Sequence, residues 1–394
     1  GLGGGGEAHP DAVGEAPDAA DEAPDADRRS DTCVTPVFAC MIPLDGGMRP
    51  EFVTPAKLTA GDRVAVVSPS FAAPALFPAV HELGLRRLRD EFGLRPVEYP
   101  TTRRPASAPD RAADLMAAFA DPDIRAVLAT IGGDDQLTVL PFLDPVLVAA
   151  NPKPFVGYSD NTNLLNWLWN LGIVGYHGGS TMVHLGRGGG LHPVSAGSLR
   201  TALLTGGDVQ LQPVEAFSED ELDWREPSSL DRAAPTQPGP GWSWHRPDRV
   251  VTAPTWGGNL EILHGNLAAN RWMRPVEDYA GCVLLLETSE EMPTAEEVFR
   301  MLRNAGERGL LAQFPAIIVG TAKASSLHHP TTPDERNTYR AAQRDAILRA
   351  LSRYNPAAMA VFDVDIGHTD PQWIIPYGGS VTVDGPGRRI TAHY

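Results

Sequence analysis

From Asp62 to Gly157 the chain repeats one pattern: a short β-branched run, a polar loop, then apolar residues at helical spacing. DRVAVV, RPVEYP and RAVLATI read as strands, and residues 79–91 and 110–120 as helices between them. Strands that alternate with helices share a sheet through parallel crossovers, so the pattern predicts a doubly wound parallel α/β sheet. Such sheets gather their ligands at the carboxyl ends of the strands. Three polar loops are predicted to meet there, at 68–70, 132–135 and 157–160.

The last loop is the most informative. In PFVGYSDNTNLLNWLWNL, Phe155 and Val156 are strand-like, Gly157 interrupts the run, and Leu164, Leu165, Trp167, Leu168 and Leu171 recur at helical spacing. Ser159 therefore falls on a strand-to-helix turn. A turn of this kind lifts a hydroxyl out of the sheet, beside helix-opening N–H groups that favour developing negative charge. This is the logic of a nucleophile elbow, here written G-Y-S-D. A serine at a helix start also serves as an N-cap, and the local sequence leaves both roles open.

The remainder divides by texture. Residues 51–205 make an N-terminal α/β domain carrying Ser159, and 251–394 a smaller C-terminal α/β domain; between them 206–250 reads as a connector dense in Pro and Gly. Its Trp224, Trp242 and Trp244 are either stacking surfaces for a planar ligand or packing between the domains. In the second domain CVLLLE, FPAIIVGTA and AAMAVFDVDIGH read as buried strands, and 294–304 and 334–351 as helices. WGGNLEILHGNLAA opens on a Gly pair and continues helically. PYGGSVTV and GRRITAHY, around Asp384-Gly385, form a closing hairpin.

Composition narrows the function. Residues 1–32 hold nine acids against Arg28 and Arg29, a balance of −7 within a chain of net −16, which argues against a nucleic-acid partner. The Gly/Ala/Pro-rich acidic stretch 1–50 is predicted to be a disordered tail, with Met48 as a candidate natural start. No apolar run approaches the roughly 18 residues of a membrane span and no signal-peptide pattern opens the chain, so no membrane partner is expected and the protein reads as cytoplasmic. Cys33, Cys40 and Cys282 lack C-x-x-C spacing and fit a reducing compartment.

Glu287 closes CVLLLE, where a carboxylate after apolar strand residues needs a cationic or hydrogen-bonding partner. His368 follows another strand, in DVDIGHTDP, placed to act as a base whose second ring nitrogen a carboxylate holds. Ser159, His368 and Glu287 would then form a triad drawn from two domains. Asp363, Asp365, His368 and Asp370 crowd together, as do His328 and His329, but no second histidine completes a ligand motif, so neither metal nor cofactor is expected. The GRGGG run at 186–190 lacks the Lys-Ser/Thr ending of a P-loop. Asp134 and Asp135 are either substrate contacts or a solvated loop.

The ordered set SPS, IGGDDQLTVLPFLD, GYSDNTNLL, GGNLEIL, LLLETSEEMPTAEEVFRML and DIGHTDPQWIIPYG resembles the serine peptidase family containing LD-carboxypeptidases and microcin C self-immunity peptidases. The resemblance implies a two-domain serine carboxypeptidase. By motif, its nucleophile falls on Ser159, its glutamate on Glu287 and its histidine on His368, with oxyanion-hole amides at Asp160 and Gly132-Gly133. It further implies a homodimer. Relatives of the LD type resemble one another in a G-G-Y-G loop; the GGDDQ form here, with the tryptophan-bearing connector, is closer to the immunity branch. The implied substrate is a peptidyl or aminoacyl-nucleotide conjugate, with Asp134, Asp135, Trp224, Trp242 or Trp244 in contact with it. The alternatives are murein tetrapeptides, or a catalytically silent ligand-binding protein. Arg187 or Arg271 is a candidate for holding a terminal carboxylate, and YHGGSTM carries Gly179 where relatives often have proline.

Overall fold

The structure, a computed structural model, describes residues 49–394. The tail expected over 1–50, with Cys33, Cys40 and Met48, lies outside the described residues apart from Arg49 and Pro50. Strands β1 (Arg63–Val67), β2 (Arg95–Glu98), β3 (Ile124–Ala129), β4 (Phe155–Gly157) and β5 (Gly175–His177) form a parallel sheet in the order β2-β1-β3-β4-β5. Helices α1 (Pro78–Asp90), α2 (Ala108–Ala120), α3 (Pro145–Ala150) and α4 (Thr162–Asn170) make the crossovers. β1 and β3 are apolar without alternation because helices cover both faces of the sheet. The chain leaves β1 toward β2 and returns to β3 on the other side. Strand order reverses at that pair, and the loops after β1 and β3 open a crevice there.

After α5 (Pro193–Arg200) the chain adds β6 (Asp208–Gln210), β7 (Ala216–Phe217), β8 (Gln237–Pro238) and β9 (Ser243–His245). It then runs through β10 (Val250–Asn259), α6 (Leu260–Ala269), β11 (Val283–Glu287), α7 (Ala295–Glu307), β12 (Ala316–Gly320), α8 (Pro333–Tyr354), β13 (Met359–Val364), β14 (Ile375–Tyr377), β15 (Ser380–Asp384) and β16 (Arg389–His393). The second sheet has the order β6-β16-β15-β10-β11-β12-β13-β9, parallel from β10 to β13. The fold is the α/β arrangement expected, with two sheets and a closing hairpin, β15 to β16. Both α7 and α8 open on a capping box, Thr294 with Glu297 and Thr332 with Glu335.

Three features depart from the sequence pattern. The connector contributes β6 and β9 to the ends of the second sheet and pairs β7 with β8. Strands of two or three residues are too short to show a period. Gly257 and Gly258, read as the opening of the helical run, extend strand β10; at φ of +128° and +111° they hold backbone that favours glycine, and α6 starts only after Asn259 caps it. Finally, β14 crosses back to pair antiparallel with β5, Ile375 opposite His177. The sheets share an aromatic cluster in which Tyr279 packs 5.2 Å from Trp169 and 4.5 Å from Trp256, centroid to centroid. The Trp256 indole donates to Asn166 Oδ1 at 2.9 Å, tying β10 to α4.

Candidate active site

Ser159 stands at φ +61°, left-handed backbone that costs a residue with a side chain about 1–2 kcal/mol. It opens a tight turn, Ser159–Asn161, that leads into α4, and its hydroxyl caps neither that turn nor the helix. Instead Oγ lies 3.0 Å from His368 Nε2. The other ring nitrogen, Nδ1, is 2.6 Å from Glu287 Oε2. An ionised carboxylate only accepts, so Nδ1 carries a proton, and once the ring is neutral Nε2 is free to accept from Ser159.

Charge fixes these roles. Burial pushes the Glu287 carboxyl up, but the His368 charge and the imidazoles of His177 and His368 outweigh it and hold its pKa at about 2. Burial pushes His368 down, and the charge and hydrogen bond of Glu287 overcome that to raise it to about 9. Glycines shape the cradle: a Cβ at Gly367 would lie 2.8 Å from Glu287 Oε2, and one at Gly320 would lie 3.0 Å from Glu287 Cβ.

The three polar loops do converge. Ser70 Oγ donates to Asp160 Oδ2, which also accepts the Gln136 amide at 2.9 Å, while Asn163 holds Oδ1 at 2.8 Å. Asp160 is wholly buried, and burial raises its pKa against those hydrogen bonds. Its side chain is thus the clamp joining the loops after β1, β3 and β4, whereas the sequence reading named only its backbone amide, for the oxyanion hole. Gly132 comes so close that a Cβ there would lie 2.9 Å from Ser159 Cβ and 3.3 Å from the Asp160 nitrogen. A Cβ at Gly133 would collide with Ser70 Oγ at 2.1 Å. Among the described residues the Gly133 and Asp160 amides have no hydrogen-bond acceptor.

The expected substrate contacts fare unequally. Asp135 is taken by a bidentate ion pair with Arg111, both contacts 2.7 Å, whereas Asp134 is exposed. Trp242 donates to Asp365 Oδ2 at 3.0 Å and packs with Trp244, which lies on β9, against the core of the second sheet. Trp224 meets Phe77 edge-on at 5.3 Å in a small cluster that includes Ile131, directly before Gly132. Of the three tryptophans it is the one beside the Gly132-Gly133 loop. Arg187 pairs with Asp370 at 2.7 Å, and Arg271 lies over the Trp272 ring. Asp363 pairs with Arg344 and Asp365 with Trp242, so the acids around His368 are held by protein partners. The GRGGG loop packs backbone to backbone on the connector, where a Cβ at Gly188 would lie 2.0 Å from the Ser229 carbonyl.

Other residues at the site escaped the sequence reading. Glu290, half exposed, puts Oε2 3.2 Å from His368 Nε2, the nitrogen that faces Ser159. Lys323, nearly buried, pairs with Glu221 of the connector at 2.7 Å and opposes the His368 charge. Burial, reinforced by Glu290, Glu287, Glu221 and Asp370, pushes the Tyr158 phenol well above its ordinary value and keeps it a donor. Tyr158 stands next to Ser159, and Glu290 three residues after Glu287 in the LLLETSEE motif, which was the available signal; Lys323 arrives from the loop after β12. Gly179 is also explained: its N–H donates to Gln372 Oε1 at 2.7 Å from φ +79°, and a proline supplies neither.

Residues 64–178 match the LD-carboxypeptidase N-terminal domain and residues 252–383 the LD-carboxypeptidase C-terminal domain. The microcin C7 self-immunity protein MccF of Escherichia coli is 26% identical over 73% of this chain and 79% of its own. The murein tetrapeptide carboxypeptidase of Pseudomonas aeruginosa is 36% identical over 34% of this chain and 43% of its own. Among solved structures, MccF with aspartyl sulfamoyl adenosine superposes at TM-score 0.73 with 22% identity, covering 87% of this chain and 98% of that one. A MccF-like protein from Streptococcus pneumoniae bound to AMP gives 0.74 with 24% identity, covering 85% and 99%. These superpositions establish a shared fold.

Proposed function

The chain belongs to the LD-carboxypeptidase family of serine-type carboxypeptidases, and from that premise we propose that Ser159, His368 and Glu287 are its catalytic triad. The observation that carries this reading is the unbroken contact from Ser159 Oγ through His368 to Glu287. Ser159 Oγ attacks the carbonyl carbon and gives its proton to His368 Nε2. Glu287 stabilises the resulting imidazolium. The amides of Asp160 and the Gly132-Gly133 pair receive the oxyanion, and the leaving nitrogen departs with the proton from Nε2. Water, activated by the same nitrogen, then releases the acyl group as an acid and restores the serine.

For the substrate we propose an amide-type bond in an aminoacyl or peptidyl conjugate of a nucleotide. Two things support it: relatives of this fold carry AMP or aspartyl sulfamoyl adenosine, and Trp224 lies beside the oxyanion loop with a ring edge-on to Phe77, able to stack on a base. Asp134, exposed on the GGDDQ loop, would meet the substrate's ammonium. Murein tetrapeptides are the second reading, favoured by the Pseudomonas relative. Family resemblance further suggests a cytoplasmic homodimer, which sedimentation of the purified protein tests for assembly.

The deciding experiment offers aspartyl sulfamoyl adenosine and a murein tetrapeptide separately to the wild type and to Ser159→Ala, with products read by mass spectrometry. Cleavage of the nucleotide conjugate, lost in the variant, is the expected result. Cleavage of the tetrapeptide alone keeps the triad and reassigns the substrate. No Ser159-dependent cleavage, together with no labelling of Ser159 by a fluorophosphonate, would return the protein to ligand binding.

A further inference from the structure

Glu287 has two carboxylate oxygens, and the triad uses one. Oε2 meets His368, whereas Oε1 is buried with no hydrogen-bond partner. Nε2 of His177 lies 3.8 Å from it. His177 is fully buried, and neither of its ring nitrogens has a hydrogen-bond partner among the described residues. A buried imidazole without partners and a half-paired carboxylate are each unfavourable alone, and here they face one another. At 3.8 Å the contact is one of charge and dipole, longer than a formed hydrogen bond. Catalytic contacts in unliganded sites commonly tighten once substrate is bound.

The backbone makes the encounter a designed one. His177 closes β5 opposite Gly157, two residues before Ser159, and Glu287 closes β11 opposite Asn259. On β10 between them, Gly258 lies against both Thr162 and the His177 ring: a Cβ there would come 2.7 Å from Thr162 Oγ1 and touch His177 Cδ2 at 3.4 Å. From these positions we propose that His177 is a positioning residue whose Nε2–H holds Glu287 Oε1, fixing the carboxylate so that Oε2 remains aimed at His368. The proposal rests on the reading of Ser159, His368 and Glu287 as the catalytic set.

Its consequence reaches the rate through charge. Glu287 faces His368 and His177, with Glu261 as a further acid; His368 faces Glu287, Glu290 and Lys323. Withdrawing the His177 donor leaves Glu287 more basic, and a more basic carboxylate keeps His368 protonated to higher pH. Labelling of Ser159 by a fluorophosphonate, followed across pH, reads this without any substrate. His177→Leu is expected to slow labelling about tenfold and to move its midpoint to higher pH. His177→Gln, whose amide offers a donor at the same place, is expected to stay within about threefold of wild type with an unmoved midpoint.

A leucine variant that matches wild type in rate and midpoint, or a glutamine variant as impaired as leucine, overturns the proposal. Should His177→Leu not fold, nitrogen NMR of the wild-type ring decides: a proton on Nε2 and none on Nδ1 supports the role, and the opposite tautomer overturns it. A wild-type Ser159 that resists the label overturns the catalytic reading and this proposal together, whereas labelling indifferent to His177→Leu overturns this proposal alone.

Discussion

A histidine serves as a base only when neutral, so the pair it forms with Glu287 sets the pH at which Ser159 can react. Glu287 raises His368 to about 9, which keeps it charged as pH climbs past the ordinary histidine value. The rate kcat/KM should therefore rise with pH along a limb lying well above 6.5. Glu287→Gln removes the charge and leaves burial to push His368 down, so the limb should move to lower pH while the plateau falls by about 10³–10⁴-fold. A pH profile of the two proteins checks both; a limb that stays in place would separate Glu287 from His368. Gly132→Ala tests the loop opposite. Its Cβ, 3.1 Å from Ser159 Oγ, should displace the hydroxyl and lower kcat about 100-fold with the melting temperature little changed. The elbow was legible because Gly157, Ser159 and a helical apolar stripe lie within one short segment. Lys323 was not, since a remote loop brings it to the site; Glu290 and the Asp160 side chain lie within three residues of Glu287 and Ser159, but which way they face is set only by the fold.

Among the elements, the connector shows most clearly what local pattern leaves out. Its Pro- and Gly-rich sequence has no period, yet it is anchored to the second sheet by side chains read only in three dimensions. Glu219, fully buried, accepts from Arg340 Nη1 at 2.9 Å on both oxygens and from the Ala324 amide at 2.8 Å, with Arg336 at 3.5 Å. One residue earlier, Ser218 exchanges two backbone hydrogen bonds with Asp370, two residues past His368. Thus the segment bearing Trp224 is fastened beside the loop that carries His368. Glu219→Ala leaves Arg336 and Arg340 facing a buried gap and should destabilise the protein by about 3 kcal/mol in urea unfolding. Because the strap and not the triad is loosened, KM should rise more than kcat falls; equal losses in both would place Glu219 in the chemistry instead. By contrast, strands such as β1 and β11 and the capped α7 and α8 were legible, since burial on both faces or a capping box writes itself into adjacent residues.

At the scale of the molecule, Ser159 hangs from the first sheet while His368 and Glu287 hang from the second, so a 3.0 Å contact depends on how the two sheets hold together. Two devices couple them. β14, which follows the His368 loop, returns to the edge of the first sheet, and Tyr279 packs against Trp169 from α4 and Trp256 from β10. With this much buried aromatic surface shared, the sheets should unfold in one cooperative step. Far-UV circular dichroism, tryptophan fluorescence and Ser159 labelling should then lose their signals at one denaturant concentration. Trp256→Ala removes one ring of the cluster along with its bond to Asn166, and should lower stability by about 3–5 kcal/mol. If the coupling is real, all three midpoints move together in that variant. If labelling fades well before the helical signal, the sheets separate first, and the site is lost by parting of its two halves while each remains folded.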